Sequence, residues 1–202
     1  MTKRILLAGL LGGIAMYIWT TIAHIVLPLG EAGIRELPKE APVLAAMAAG
    51  IGDQAGLYLF PGPGLGPNPT HAEKEKAMRA MNEKYATQAS GFLVYYPAGA
   101  RPLSMAKLLS VEFATELLEA ILVVFLLSLT RLATFGARAG FVALAGVLAA
   151  IATNVSYWNW YGFPGIYTAA YIFTQLIGFL VVGLVAALVL PKTEPARAAV
   201  AR

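Results

Sequence analysis

Three carboxylates stand where a chain of this composition should not tolerate them. Glu112, Glu116 and Glu119 lie in an otherwise apolar stretch from about Leu103 to Leu129. At about 100° per residue on a helix they share one narrow stripe, with Thr115 at its edge. Carboxylates in hydrocarbon are costly, so such a stripe faces a protein interior, a water-filled cavity or a partner. His24, Asn154, Tyr171 and Gln175 are the other polar side chains set inside long apolar runs.

These residue types allow three chemistries. His24, Glu112 and Glu116 could hold a divalent metal through nitrogen and oxygen. The same trio could move protons, because two close carboxylates cannot both stay ionised; that would serve acid–base catalysis or coupled transport. Or the group could recognise a lipid headgroup or small ligand, with Asn154, Gln175 and tyrosines as hydrogen-bonding partners. The plain alternative is interhelical glue: a protonated Glu bonded to Asn or Gln needs no function. His24, four residues before Pro28, reads on its own as a helix-end histidine.

Composition decides what must position these residues. Mean hydropathy is +0.68, with 58% apolar and 13% charged residues, which excludes an ordinary soluble domain. There is no cysteine, hence no disulfide, thiolate metal site or redox dithiol. The net charge is +4, but much of the basic excess flanks apolar segments, as topology signals do, so no nucleic-acid partner is expected.

Four runs are long enough to cross a core of about 30 Å at about 1.5 Å per residue. They are Ile5–Leu27, Leu103–Leu129, Ala139–Trp158 and Tyr167–Leu190. The first follows Lys3 and Arg4 but is too long for a cleaved signal and lacks a cleavage site. Its Gly9, Gly12 and Gly13 offer a flat patch for close helix contact. Residues 29–102 form the one hydrophilic region. Within it Val43–Ala49 reads as a short amphipathic helix. Gly56–Phe60 and Gly91–Tyr96 read as strands able to pair antiparallel. Pro61–Pro69 is a Pro/Gly loop, and Thr70 with Glu73 caps a charged helix, Ala72–Gln88, expected to pack over the strands. The tail Thr193–Arg202 reads as disordered.

Lys3, Arg4, Arg131, Arg138, Lys192, Arg197 and Arg202 fall on one side of a four-span arrangement. The positive-inside rule then makes both termini cytoplasmic and 29–102 extracytoplasmic, with Trp158, Trp160, Tyr161 and Tyr167 as an aromatic belt. Counted from the inner ends, His24 comes at about 28 Å, Glu112 at about 26 Å and Asn154 at about 24 Å. Gln175 comes at about 22 Å, Glu116 at about 20 Å and Glu119 at about 15 Å, below the rest. Polar patches on four helices in the outer half point to one shared chamber beneath the extracytoplasmic insertion.

No P-loop, dinucleotide fingerprint, H-E-x-x-H, nucleophile elbow or lipidation signal is present, and no inverted repeat stands out. The stretches WTTIAHIVLPLGEAGIR (19–35), GLYLFP (56–61), LVYYPAG (93–99) and SYWNWYGFP (156–164) resemble a group of uncharacterised bacterial integral membrane proteins. The resemblance covers most of the chain and implies the bacterial cytoplasmic membrane. It carries no activity and no functional residues.

The expected architecture is an all-α membrane protein. It has a four-transmembrane-helix bundle with a small extracytoplasmic α+β insertion between helices 1 and 2. Its divisions are 1–28 (first span), 29–102 (insertion), 103–190 (three spans) and 191–202 (cytoplasmic tail). The leading functional expectation is a non-enzymatic binding or accessory protein of the lipid bilayer. Its ligand-binding chamber would comprise His24, Glu112, Glu116, Asn154, Tyr171 and Gln175, taking a lipid, small molecule or cation. A divalent metal on His24, Glu112 and Glu116 is the one cofactor considered. One rival is a small intramembrane enzyme pairing Glu116 with Glu112 or His24. The other is a structural subunit with a membrane-protein partner or a second copy of itself.

Overall fold

The computed structural model describes residues 3–191. The tail Thr193–Arg202, expected to be disordered, lies outside the described residues. The chain is mostly helical and divides into two compact units, one of residues 1–34 with 104–202 and one of residues 35–103.

The first unit holds α1 (Lys3–Ile25), α4 (Met105–Ser128), α5 (Phe135–Ala150), α6 (Ser156–Tyr161) and α7 (Gly165–Val189), with a 3-10 turn at Leu29–Glu31. Among the described residues, three helices are long and apolar enough to cross a membrane: α1, the continuous run Phe135–Tyr161, and α7. In α4, every stretch of 18 residues contains Glu112, Glu116 and Glu119, which sets it apart despite its 24 residues. Leu10, Ile14, Ile18 and Leu122 keep their side chains uncovered, as a lipid-facing surface requires.

Small residues set the helix contacts, because lipid offers no hydrophobic drive and close backbone approach must supply dispersion instead. α1 packs against both α4 and α7, α7 packs against α5, and α4 meets α5 only sparsely. A Cβ placed on Gly13 would come 2.8 Å from the Leu117 Cα, and one on Gly9 would come 2.8 Å from the Ile121 Cα. Where α7 crosses α5, Gly183 lets the backbone of Ala139 come equally close. The apolar core, built on Val123, Val124, Leu127, Val142, Phe179 and Val182, fills the half of the bundle toward the α4–α5 turn. In the other half the helices enclose a space lined by polar side chains.

Arg138, one of the charges counted for topology, also has a structural part. It is buried, and its guanidinium donates from Nε to the Leu132 carbonyl (2.9 Å), from Nη1 to Leu190 (3.1 Å) and from Nη2 to Pro191 (2.7 Å). The charge therefore ties the end of α7 to the α4–α5 turn, where unpaired helix carbonyls carry partial negative charge.

The second unit comprises α2 (Glu40–Ile51), β1 (Gly56–Phe60), α3 (His71–Thr87) and β2 (Gly91–Tyr95). The strands pair antiparallel, with Gly56 opposite Tyr95 and Phe60 opposite Gly91. Tyr95 Oη donates to the Gly52 carbonyl at 3.1 Å, tying the hairpin to the end of α2. α3 opens with a reciprocal cap: Thr70 N donates to Glu73 Oε2 at 2.7 Å, and Glu73 N donates to Thr70 Oγ1 at 3.3 Å. The Thr70 N–H foremost, and then the Thr70 hydroxyl donating to the same Oε2 at 2.8 Å, hold the Glu73 carboxyl below the usual carboxylate range.

One expectation fails here. α3 does not pack over the strands; it lies along the loop 63–69, and Lys84 Nζ reaches the Gly62 carbonyl at 3.5 Å. The reason is chemical, since charges surround α3 and Met78, half of its intended apolar side, is exposed. No residue between Arg35 and Leu103 is buried.

Candidate functional site

Each of the four long helical runs supplies polar side chains to one space of about 210 Å³ in the polar half of the bundle. From α1 come Met16, Thr20 and His24; from α4 come Glu112, Thr115, Glu116 and Glu119. Thr153 and Asn154 enter between α5 and α6, and Tyr171, Thr174 and Gln175 enter from α7. The six residues singled out by sequence, His24, Glu112, Glu116, Asn154, Tyr171 and Gln175, all line this cavity. Glu119, expected below the cluster, lines it too. At four residues per turn-and-a-bit, the stripe stays on one wall.

Glu116 is the most deeply held of these charges, with 4% of its surface exposed. Its Oε1 accepts a hydrogen bond of 2.5 Å from Thr20 Oγ1, made possible by the close α1–α4 approach at Gly13. Its Oε2 is buried and has no hydrogen-bond partner. A buried acceptor left unpaired costs about 1–3 kcal/mol, more when charged, so natural structures rarely leave one without reason. Glu112 by contrast is exposed, and Glu119 is half-buried.

The opposite wall is held by a feature that the sequence conceals. Residues Ile151–Val155 form a π turn between α5 and α6. The wider turn accommodates one extra residue per loop of backbone, and such bulges recur at functional sites. It turns Asn154 inward, where Nδ2 donates to the Ala150 carbonyl at 3.0 Å and to Gln175 Oε1 at 3.2 Å. An Asn inside an apolar span was a readable signal; the π turn that aims it was not.

His24 and the tyrosines form the remaining wall. His24 Nδ1 donates to the Thr20 carbonyl at 2.9 Å, which fixes the ring against its own helix. The His24 ring meets Tyr171 edge-on at 6.1 Å, and Tyr171 stacks on Tyr167 at 4.4 Å. Phe163 at 5.2 Å from Tyr167, and Tyr157 at 5.4 Å from Phe163, continue the ladder toward the Gly162 turn. These aromatic rings thus pack on one another and end at the cavity. Trp19 Nε1 donates to the Thr174 carbonyl at 2.8 Å, which fixes α1 against α7 beside it.

The metal alternative does not gain from this arrangement. Among the described residues no group of three His, Asp or Glu side chains converges closely enough to hold an ion. His24, Glu112 and Glu116 line the same cavity without forming such a group. Larger clefts exist, about 560 Å³ beside α3 and about 460 Å³ at the helix ends near Lys3 and Arg4. Among the described residues, neither is lined by a buried polar atom that lacks a partner. The polar chamber of the bundle is therefore the candidate site, and no protein-family model, curated protein or solved structure matches this chain.

Proposed function

We propose that this chain is a four-span protein of the bacterial cytoplasmic membrane that binds a small ligand in the chamber around Glu116 without transforming it. α4 serves as the fourth span, its carboxylates turned to the chamber and its Leu118, Leu122 and Leu126 to lipid. Both termini are cytoplasmic and residues 35–103 are extracytoplasmic in this reading, which rests on the distribution of Lys and Arg. One observation carries the binding role: Glu116 Oε2 is buried in a polar cavity and unpartnered. A purely structural glutamate would be satisfied on both oxygens or replaced by an apolar residue of similar volume, because unpaired buried charge destabilises. A ligand that donates a hydrogen bond completes it.

Native mass spectrometry of the full chain, extracted with its surrounding lipid, tests this reading. The wild type should retain an adduct that Glu116→Leu loses while its helical content is unchanged. An adduct-free wild type, or the same adduct on both proteins, overturns it.

A second reading, a subunit of a larger complex, is favoured by a separate observation: residues 35–103 bury none of their side chains, although Leu37, Leu44, Leu57 and Val94 are apolar and exposed. Mild-detergent co-purification at stoichiometric amounts supports that reading, and a monodisperse single chain removes it.

A further inference from the structure

We propose that the ligand is an amphipathic organic ammonium ion, whose protonated amine enters the Glu116 chamber and whose apolar chain lies in the adjoining cleft between α1 and α4. The proposal rests on the chamber being a binding site and names what it binds. The sign of the charge comes from the wall. Glu112, Glu116 and Glu119 line the chamber and no Lys or Arg does, so an anion would meet three carboxylates without a counter-ion. The donor comes from Glu116, whose buried Oε2 lacks a hydrogen-bond partner and would receive an N–H from the ammonium. Gln175 and Thr174 add further oxygens, and the rings of Tyr171 and His24 present aromatic surface to a cation.

The chain comes from the second cleft. At about 210 Å³ the chamber falls below the 300–1,000 Å³ usual for ligand sites. A space of about 340 Å³ adjoins it, sharing Thr20, His24, Glu112 and Tyr171 in its walls. Beyond those four the lining turns mostly apolar, with Ile25, Leu108, Leu109 and the ring of Tyr17 beside a single Thr21. A bare inorganic cation uses none of this cleft and finds no converging ligand set. A polar head with an apolar tail fits both compartments in the order in which they occur.

The test uses the full chain in lipid nanodiscs, with empty nanodiscs as the blank, and four probes: octylammonium, octanol, methylammonium and octanoate. Saturable binding is read by calorimetry. Octylammonium should bind at least about tenfold tighter than octanol, the difference expected of one charge-assisted bond in a secluded site, and octanoate should not bind. Glu116→Gln should bring octylammonium to within about threefold of octanol. Glu112→Gln, at an exposed position, reports in the same direction should Glu116→Gln fail to fold. Leu109→Trp fills the cleft and should weaken octylammonium while leaving methylammonium unchanged.

Equal affinity for octanol and octylammonium overturns the ammonium, and if that binding still depends on Glu116 the chamber reading survives. Methylammonium as tight as octylammonium, with Leu109→Trp silent, overturns the placement of the chain. No Glu116-dependent binding of any probe overturns the proposal outright, and the adduct experiment then decides whether the chamber binds another class of donor.

Discussion

Thr20 Oγ1 donates to Glu116 Oε1 across 2.5 Å, and the other oxygen of the same carboxylate has no partner. One helix contact thus fixes the carboxylate's orientation while leaving half of it available. Thr20→Val deletes that contact at nearly constant volume. Interhelical hydrogen bonds in membranes average about 0.6 kcal/mol, whereas bonds to charged groups reach about 1.5–3 kcal/mol. We expect Thr20→Val to cost about 1–2 kcal/mol, and a double-mutant cycle with Glu116→Leu to return most of it as coupling. Reversible unfolding in mixed micelles measures both, and additive effects would show that the two side chains do not support each other.

Gly13 controls the same contact from two turns below. A methyl there would sit 2.8 Å from the Leu117 Cα, so Gly13→Ala must push α1 from α4 and lengthen the Thr20–Glu116 bond. Overpacking of this kind costs about 1–3 kcal/mol. Gly140→Ala is the matched control, since its Cβ meets nothing within 4 Å and Ala gains up to about 1 kcal/mol of helix propensity. Opposite signs in thermal melts are expected, and a harmless Gly13→Ala would contradict the close approach.

Arg138 should prove irreplaceable by Lys. Its three donors fan out to carbonyls of Leu132, Leu190 and Pro191, which a single ammonium cannot span. Arg138→Lys should lose most of the stability lost by Arg138→Ala, about 1–3 kcal/mol, because part-buried carbonyls are left without their donor. Retention of wild-type stability by the lysine variant would show that the fan of carbonyl contacts does not hold the helix ends together.

The α3 cap gives a pH dependence with a definite sign. Hydrogen bonds from Thr70 depress the Glu73 carboxyl in the folded chain, so its contribution is present above the unfolded value and is lost as pH falls through the folded one. Amides at the start of α3 should therefore exchange faster below about pH 4, the ordinary range of a free glutamate, and Thr70→Ala should abolish that change. Glu73 is fully exposed, so global stability should hardly move.

Much of this fold was legible because its signals are local or periodic. Strand Gly56–Phe60 was read to the residue from its Gly and Pro boundaries, and the Thr70–Glu73 cap from its spacing. Polar residues in four apolar runs, ranked by depth, met in one cavity because rise per residue converts position to height. What escaped depended on neighbours. Nothing in Ile151–Val155 announces a π turn, and the packing of α3 failed because amphipathicity, not length, decides what a helix covers. Depth placed Glu119 below its neighbours, yet the cavity is tall enough to include it. The anchoring part of Arg138 depends on the end of α7, more than fifty residues away in sequence, which no local signal announces.

The most direct measurement is a high-resolution map of the wild-type chain in its native lipid. Density larger than a water is expected within hydrogen-bond distance of Glu116 Oε2, extending past Thr20 and Glu112 toward Leu109. A chamber holding only waters, or one collapsed so that Oε2 finds a protein donor, would contradict it.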